Sequence, residues 1–390
     1  MRKIPYGRQS VNGSDVKAVA SVLLSDWLTQ GPQVEEFERR FADLCRSRYA
    51  VAVSSGTAAL HLAYLAAGLG RGDEIITSPI TFLATANAAL YIGAKPVFAD
   101  IDYDSVNISP DDIRGKIGNK TKALVPVHFA GYPCDMKEIS LIAKRKKLTV
   151  IEDACHALGA EYKDGGKWRR AGDCRYSDMT VFSFHPVKHI TTGEGGAVTT
   201  NSRKYYEKLK ALRAHGIYKD ASTAKKGQWC YEMRVLGFNY RITDFQCALG
   251  ISQLKRADGF IKKRREIAKI YGEQLQGLGD LLELPCAAKD KKHVWHLYVV
   301  KINFEKLQID RKQLFSKLNK AGIFPQAHYI PVYRQPYYRK NVCGKIFLKN
   351  AEKYYSGCLS LPIYPALTEK EQDYVIKTFR GIIIKNAKKK

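Results

Sequence analysis

The sequence predicts an α/β fold, with a mostly parallel central sheet, helices on both faces and a smaller α+β domain after it. Three observations carry this. Through roughly the first 200 residues, short apolar runs alternate with helix-forming segments across small-residue turns, the pattern of parallel strands joined by crossover helices. After Tyr205 the pattern turns helical and polar, and a basic helix over 257–265 leads away from this region. The remainder mixes strand-like and helical stretches, which places a boundary near residue 255 and gives domains 1–255 and 256–390. Finally, two apolar runs are followed at once by chemistry-bearing residues, Glu152-Asp153 after one and Ser183 with Lys188 after the other.

Composition narrows the classes. The chain has 390 residues, 45% hydrophobic and 26% charged, as an ordinary globular protein does. No apolar run approaches the ~20 residues of a membrane span. The N-terminal MRKIPYGRQ has no apolar signal core, so the expected location is cytoplasmic. Nine cysteines, odd in number and scattered without a CxxC, argue for reduced thiols over a disulfide framework or a metal site. The formal charge of +26 would attract anionic ligands. Its Lys and Arg are spread along the chain with no nucleic-acid motif, so specific nucleic-acid binding is not expected.

In chain order, an aromatic arm (PYGRQ) precedes an amphipathic helix over 14–25, which DWLTQGP stops and turns into an extended loop. Tyr6, Trp27 and Thr29 could line a pocket, although packing alone would also explain Trp27. A second helix is expected over 33–45. Residues 49–53 form a strand, Ser54-Ser55-Gly56-Thr57 a tight turn, and 58–67 a helix. Such a junction is an anion site, because the N–H groups of Gly56, Thr57 and Ala58 and the helix dipole point the same way. It lacks the GK[ST] of a nucleotide-hydrolysing loop, and a plain βα turn is the alternative.

The next unit repeats strand, turn and helix. It places Phe82 at a helix start, where its ring could stack on a planar ligand or join the core. A strand from residue 123 and a basic helix over 137–147 follow. The run 148–151 then ends in Glu152-Asp153, and parallel sheets place ligands at the carboxyl ends of their strands. Asp153 could pair with a protonated pyridine nitrogen and His156 could face the same ring. The alternatives are a helix cap for Asp153 and a satisfied polar role for His156.

Residues 179–184 feed the segment HPVKHITTGEGG. Lys188, in a short connection after a strand, can form a Schiff base with an aldehyde, and Ser183 could hold a phosphate beside it. The aldehyde that carries a phosphate is pyridoxal phosphate (PLP), whose ring is an electron sink. A solvated surface lysine is the alternative. GEGG fits a turn better than a phosphate cradle, since no helix follows it. In GFNYRITDFQCALG, Asn239 and Arg241 either serve a neighbouring subunit's site or cap the helix that follows. Further on, HVWHLYVV and GIFPQAHYIPV look strand-like, and the Pro-interrupted HYIPVY could cover a pocket.

SSGTAAL, TFLATANA, EDACHALGA, SFHPVKHITTGEGGAV, GFNYRITDFQCALG and HYIPVY together resemble the DegT/DnrJ/EryC/StrS sugar-nucleotide aminotransferases, in the same order and over almost the whole chain. The resemblance implies a fold-type-I PLP-dependent transferase, similar to aspartate aminotransferase, acting as a homodimer with shared active sites. It implies that Lys188 carries the cofactor and moves the proton, and that Asp153 pairs with the pyridine nitrogen. His156 would lie near the phenolic oxygen and Phe82 on the ring face. Gly56, Thr57, Ala58 and Ser183 would hold the phosphate, with Asn239 reaching it from the other subunit. Tyr6, Trp27, Thr29, His328 and Tyr329 would border the sugar-nucleotide pocket.

WLTQGP, ITTGEGGAV, RAHGI and HYIPVY are similar to the subgroup of pseudaminic acid synthesis. That likeness implies L-glutamate as donor and amination at C4 of a UDP-linked 4-keto-6-deoxy-N-acetylhexosamine, with ping-pong kinetics. Other nucleotide 4-keto sugars are the alternative substrates. Related sugar dehydratases replace the lysine, typically with histidine, whereas position 188 here is Lys. A PLP-fold regulator would need a DNA-binding domain, and the catalytic region is expected to begin within about 35 residues.

Overall fold

The computed structural model describes residues 3–285 and 288–388; Cys286 lies outside them. Seven strands build the central sheet: β1 (Tyr49–Val53), β2 (Glu74–Thr77), β3 (Lys95–Phe98), β4 (Thr121–Val125), β5 (Thr149–Asp153), β6 (Met179–Ser183) and β7 (Gly196–Thr200). Their order is β1-β7-β6-β5-β4-β2-β3. All run parallel except β7, which is antiparallel to both β1 and β6.

Period-two alternation buries both faces. Val51, Val53, Val125, Ile151, Val181 and Val198 join the helix Gly56–Ala66 in one core. Ala50, Ala52, Phe182 and Ala197 face the other way, against Phe37 and Phe41 of the helix Pro32–Cys45. On that second side Ile76, Leu124 and Val150 pack on the helix Met136–Lys146.

A separate core forms after the helix Ala257–Leu275. It surrounds an antiparallel sheet of Leu282–Glu283, Tyr298–Ile302 and Cys358–Leu361, which the helix Glu369–Lys385 covers. Ile4 from the N-terminal arm belongs to this core, because Ile4–Pro5 pairs in parallel with Ile323–Phe324.

Two strand expectations are corrected. In HVWHLYVV only Tyr298–Ile302 is a strand. The preceding residues instead clasp the first domain: Val294 N–H donates to Gly131 C=O (3.2 Å) and His296 N–H to Ala130 C=O (2.8 Å). In GIFPQAHYIPV only Ile323–Phe324 is a strand; Gln326 makes a single bridge to Ser360, and the prolines leave the rest as loop. Asp153 caps no helix, since β5 simply ends there, and the cap of helix Asp244–Leu254 is Thr243 with Gln246 rather than Asn239.

No helix among the described residues is long and apolar enough to cross a membrane. The eight described cysteines are free thiols.

One buried ion pair ties three elements together. Glu38 Oε1 accepts the Ala52 N–H of β1 (2.8 Å) and an N–H of Arg213, which also donates to Ala52 C=O (2.6 Å). Glu38→Ala strands the guanidinium. It should cost about 3 kcal/mol, read as a lower denaturant midpoint, with Glu38→Gln falling between it and the wild type.

Candidate active site

The ends of β5 and β6, the turn after β1 and the clasp from the small domain meet around one cavity of about 440 Å³. Tyr6, Gly56, Thr57, Phe82, Asp153, His156, Ser183, Lys188, His328 and Tyr329 all line it.

Its floor is a backbone approach that only glycine allows. Ser55 is the N-cap of helix Gly56–Ala66. A Cβ on Gly56 would sit 2.8 Å from Ser183 Cβ, and one on Gly196 2.5 Å from Ser55 C=O. The helix N-terminus is therefore pressed against the end of β6. The first N–H groups of a helix have no acceptor within it, so those of Gly56 and Thr57, beside the Ser183 hydroxyl, are free to receive an anion. Ala58 differs from expectation: its N–H donates to Ser55 Oγ (3.1 Å), and the residue does not line the cavity.

Asp153 closes β5 with its side chain buried. One carboxylate oxygen accepts from Thr85 Oγ1 (2.7 Å) and the other from Cys155 N–H (3.1 Å). Thr81 Oγ1 lies 2.9 Å behind Thr85 Oγ1. Among the described residues no cation lies within ion-pair distance of Asp153, so a buried carboxylate faces the cavity without a direct ion pair. A pyridinium N–H satisfies it.

His156 Nε2 is 3.2 Å from Tyr329 Oη, and its buried Nδ1 has no partner. Burial raises the Tyr329 phenol, which keeps it protonated. A phenol donating to Nε2 leaves the imidazole proton on Nδ1, a spare donor at the cavity wall. Burial, with the Lys188 charge second, holds His156 well below the usual histidine range. The Lys188 amine is also lowered by burial, against the opposing effect of Cys155 and Asp153 and together with the Arg264 charge.

His328 Nδ1 lies 2.7 Å from Ser360 Oγ, its ring 4.9 Å from that of Tyr6, and burial pushes it down to about 3. Phe82 lies just before helix Ala84–Tyr91, 58% exposed, with its ring 6.4 Å from that of Tyr329.

Besides Ala58, three expected residues are not brought to this cavity within the chain. Trp27 is exposed, Thr29 bridges to Thr243, and Asn239 is exposed and bridges to Ala214. Three others were not anticipated. Ser55 and Thr85 were legible as a cap before a helix and a hydroxyl one turn after Thr81. His296 gave no signal, because its run resembled a strand.

The residues fit PLP: a helix N-terminus at a close approach that a Cβ would fill, a buried carboxylate with no direct ion pair, an orphaned imidazole nitrogen and a lysine whose amine is biased towards neutrality.

The DegT/DnrJ/EryC1/StrS aminotransferase family model matches residues 9–380. The chain is 40% identical to the spore coat polysaccharide biosynthesis protein SpsC of Bacillus subtilis over 97% of both chains. It is 39% identical, over 98% of both, to the UDP-4-amino-4,6-dideoxy-N-acetyl-beta-L-altrosamine transaminase of Campylobacter jejuni. Its structure is similar to that of Helicobacter pylori PseC, an aminotransferase of pseudoaminic acid biosynthesis. The TM-score is 0.91 at 32% identity, covering 98% of this chain and 100% of that one.

Two outcomes test the site. Gly56→Ala should weaken PLP retention at least about tenfold in equilibrium dialysis, because the cradle must open to admit a methyl group. In PLP-free protein the lowered Lys188 amine is neutral in larger fraction at about pH 8 than a surface lysine. Acylation mapped by mass spectrometry should therefore modify Lys188 ahead of exposed lysines of similar access, with the advantage vanishing as pH approaches the ordinary lysine range.

Proposed function

The chain belongs to the DegT/DnrJ/EryC1/StrS aminotransferase family and is a PLP-dependent sugar aminotransferase; from that premise we propose that it moves the amino group of L-glutamate to C4 of a UDP-linked 4-keto-6-deoxy-N-acetylhexosamine. The observation that carries the substrate is the 39% identity, over nearly the full chain, to a transaminase whose name specifies such a sugar. The proposed site residues are Lys188 as catalytic lysine, Asp153, His156, Phe82, Gly56, Thr57 and Ser183 around the cofactor, and Tyr6, His328 and Tyr329 on the sugar side.

PLP, when bound, supplies an electrophilic aldehyde and a ring that accepts electrons. The chain's own residues do the rest. Gly56, Thr57 and Ser183 hold the phosphate, and Asp153 holds a proton on the pyridine nitrogen by its negative charge. Lys188 Nζ, neutral once free, takes the α-proton of glutamate, and in the second half-reaction it moves a proton at the sugar's C4 in the opposite sense. Phe82 and Tyr329 cover the cavity and exclude water.

The active unit is proposed to be a homodimer in the cytoplasm. Asn239 sits in a segment whose Trp229 (81% exposed) and Leu236 (77% exposed) have no apolar cover within the chain. A second copy buries them and can bring Asn239, Trp27 and Thr29 to the site.

The test follows the visible absorption of the PLP-loaded enzyme. L-Glutamate should remove the band and the UDP-linked 4-keto sugar should restore it, with neither change in Lys188→Ala. Removal without restoration keeps the donor and rejects this acceptor. Restoration only by a dTDP- or GDP-linked sugar moves the assignment to that nucleotide.

A further inference from the structure

Arg264 is among the largest fully buried side chains and lies outside the roles assigned above. It sits on helix Ala257–Leu275, behind the cavity wall. Its Nη1 donates to three carbonyls: Trp295 (3.1 Å), His296 (3.1 Å) and Ile363 (2.9 Å). Its Nε and Nη2 are buried without partners. Among the described residues no carboxylate lies within ion-pair distance of it. A buried guanidinium normally has one, because removing a charge from water without compensation is costly.

What this cation touches is the clasp. The carbonyl it holds belongs to His296, whose ring packs on that of His156 (centroids 4.3 Å) and lies 5.5 Å from that of His189, the neighbour of Lys188. His189 Nε2 is 3.1 Å from Val294 C=O on the same clasp. Like His156, His296 has a buried, unpartnered Nδ1.

We propose that Arg264 is a positioning residue of the amino transfer: a fixed, uncompensated charge that holds the His296 clasp against His156 and disfavours a second positive charge at Lys188. This rests on Lys188 being the amine that carries the cofactor. The other groups acting on Lys188 are Asp153 and Cys155, which favour its protonation. The imidazoles around it are His156, His189, His296 and His328, with His293 acting on His189. Burial pushes Arg264 itself down to about 9, so it still carries its charge at neutral pH.

Two substitutions separate charge from scaffold. Arg264→Gln keeps an N–H donor for the carbonyls and removes the charge, whereas Arg264→Lys keeps the charge with fewer donors. Both should lower the melting temperature. The deciding readout is the pH midpoint of the visible band of the PLP-loaded protein without substrate. A positive neighbour opposes protonation, so its loss should raise the midpoint by about one unit in Arg264→Gln, while Arg264→Lys stays near wild type.

Equal midpoints in all three proteins would reduce Arg264 to a structural residue. A wild type with no visible band would instead sink the Lys188 assignment on which the inference rests. If neither variant folds, imidazole carbon shifts in the labelled wild type decide. His296, whose carbonyl Arg264 holds and on which its charge acts, should remain neutral below the ordinary histidine range, and its protonation within that range would overturn the proposal.

Discussion

The close approach of two backbones at Gly56 and Gly196 is the contact on which the rest depends. The antiparallel strand β7 lies between β1 and β6, so the turn after β1 and the end of β6 are neighbours across it. With no side chain at Gly196, the Ser55 carbonyl can lie over β7, and with none at Gly56, the helix start can touch Ser183. The helix N-terminus and the lysine-bearing segment then share one cavity, although well over a hundred residues separate them. Any Cβ in that seam moves the phosphate end away from Lys188, whose position is set independently by β6.

Electrostatics in the cavity follow from burial more than from pairing. Asp153 has two hydrogen-bond donors and no cation, Arg264 has three carbonyls and no anion, and the imidazoles are driven towards neutrality. A surface pair of such charges would be worth little, but buried away from bulk solvent each acts over a longer range. The fold thereby buries the Asp153 carboxylate at the cavity and discourages positive charge at the Lys188 amine. The cost is borne by large cores on both faces of the sheet.

The alternation of strand and helix, the strand β1 and the carboxylate at the end of β5 were legible in the sequence, because period-two apolar runs and turn-forming residues are local signals. The Gly56 turn and Lys188 were legible for the same reason. What escaped depends on distant contacts. His293 to Leu297 have strand-like composition, yet their N–H groups pair with Ala130 and Gly131, which no periodicity foretells. Ala58 looked like a third phosphate donor until the Ser55 cap occupied its N–H. Trp27, Thr29 and Asn239 were read as pocket or subunit-facing residues, and a single chain does not gather them.

The N-terminal arm has a consequence for how the protein is made. Ile4 pairs with Ile323, and Tyr6 stands against His328 on the cavity wall. Ile4 and Tyr6 are thus made long before the residues they meet, and such long-range pairing is slow to form. The Gly56 turn, the Asp153 carboxylate and Lys188 all lie before residue 200, so a nascent chain can assemble this end of the cavity well before the wall of His328 and Tyr329. The arm acts as a late fastener, tying the core built after residue 257 to the cavity wall.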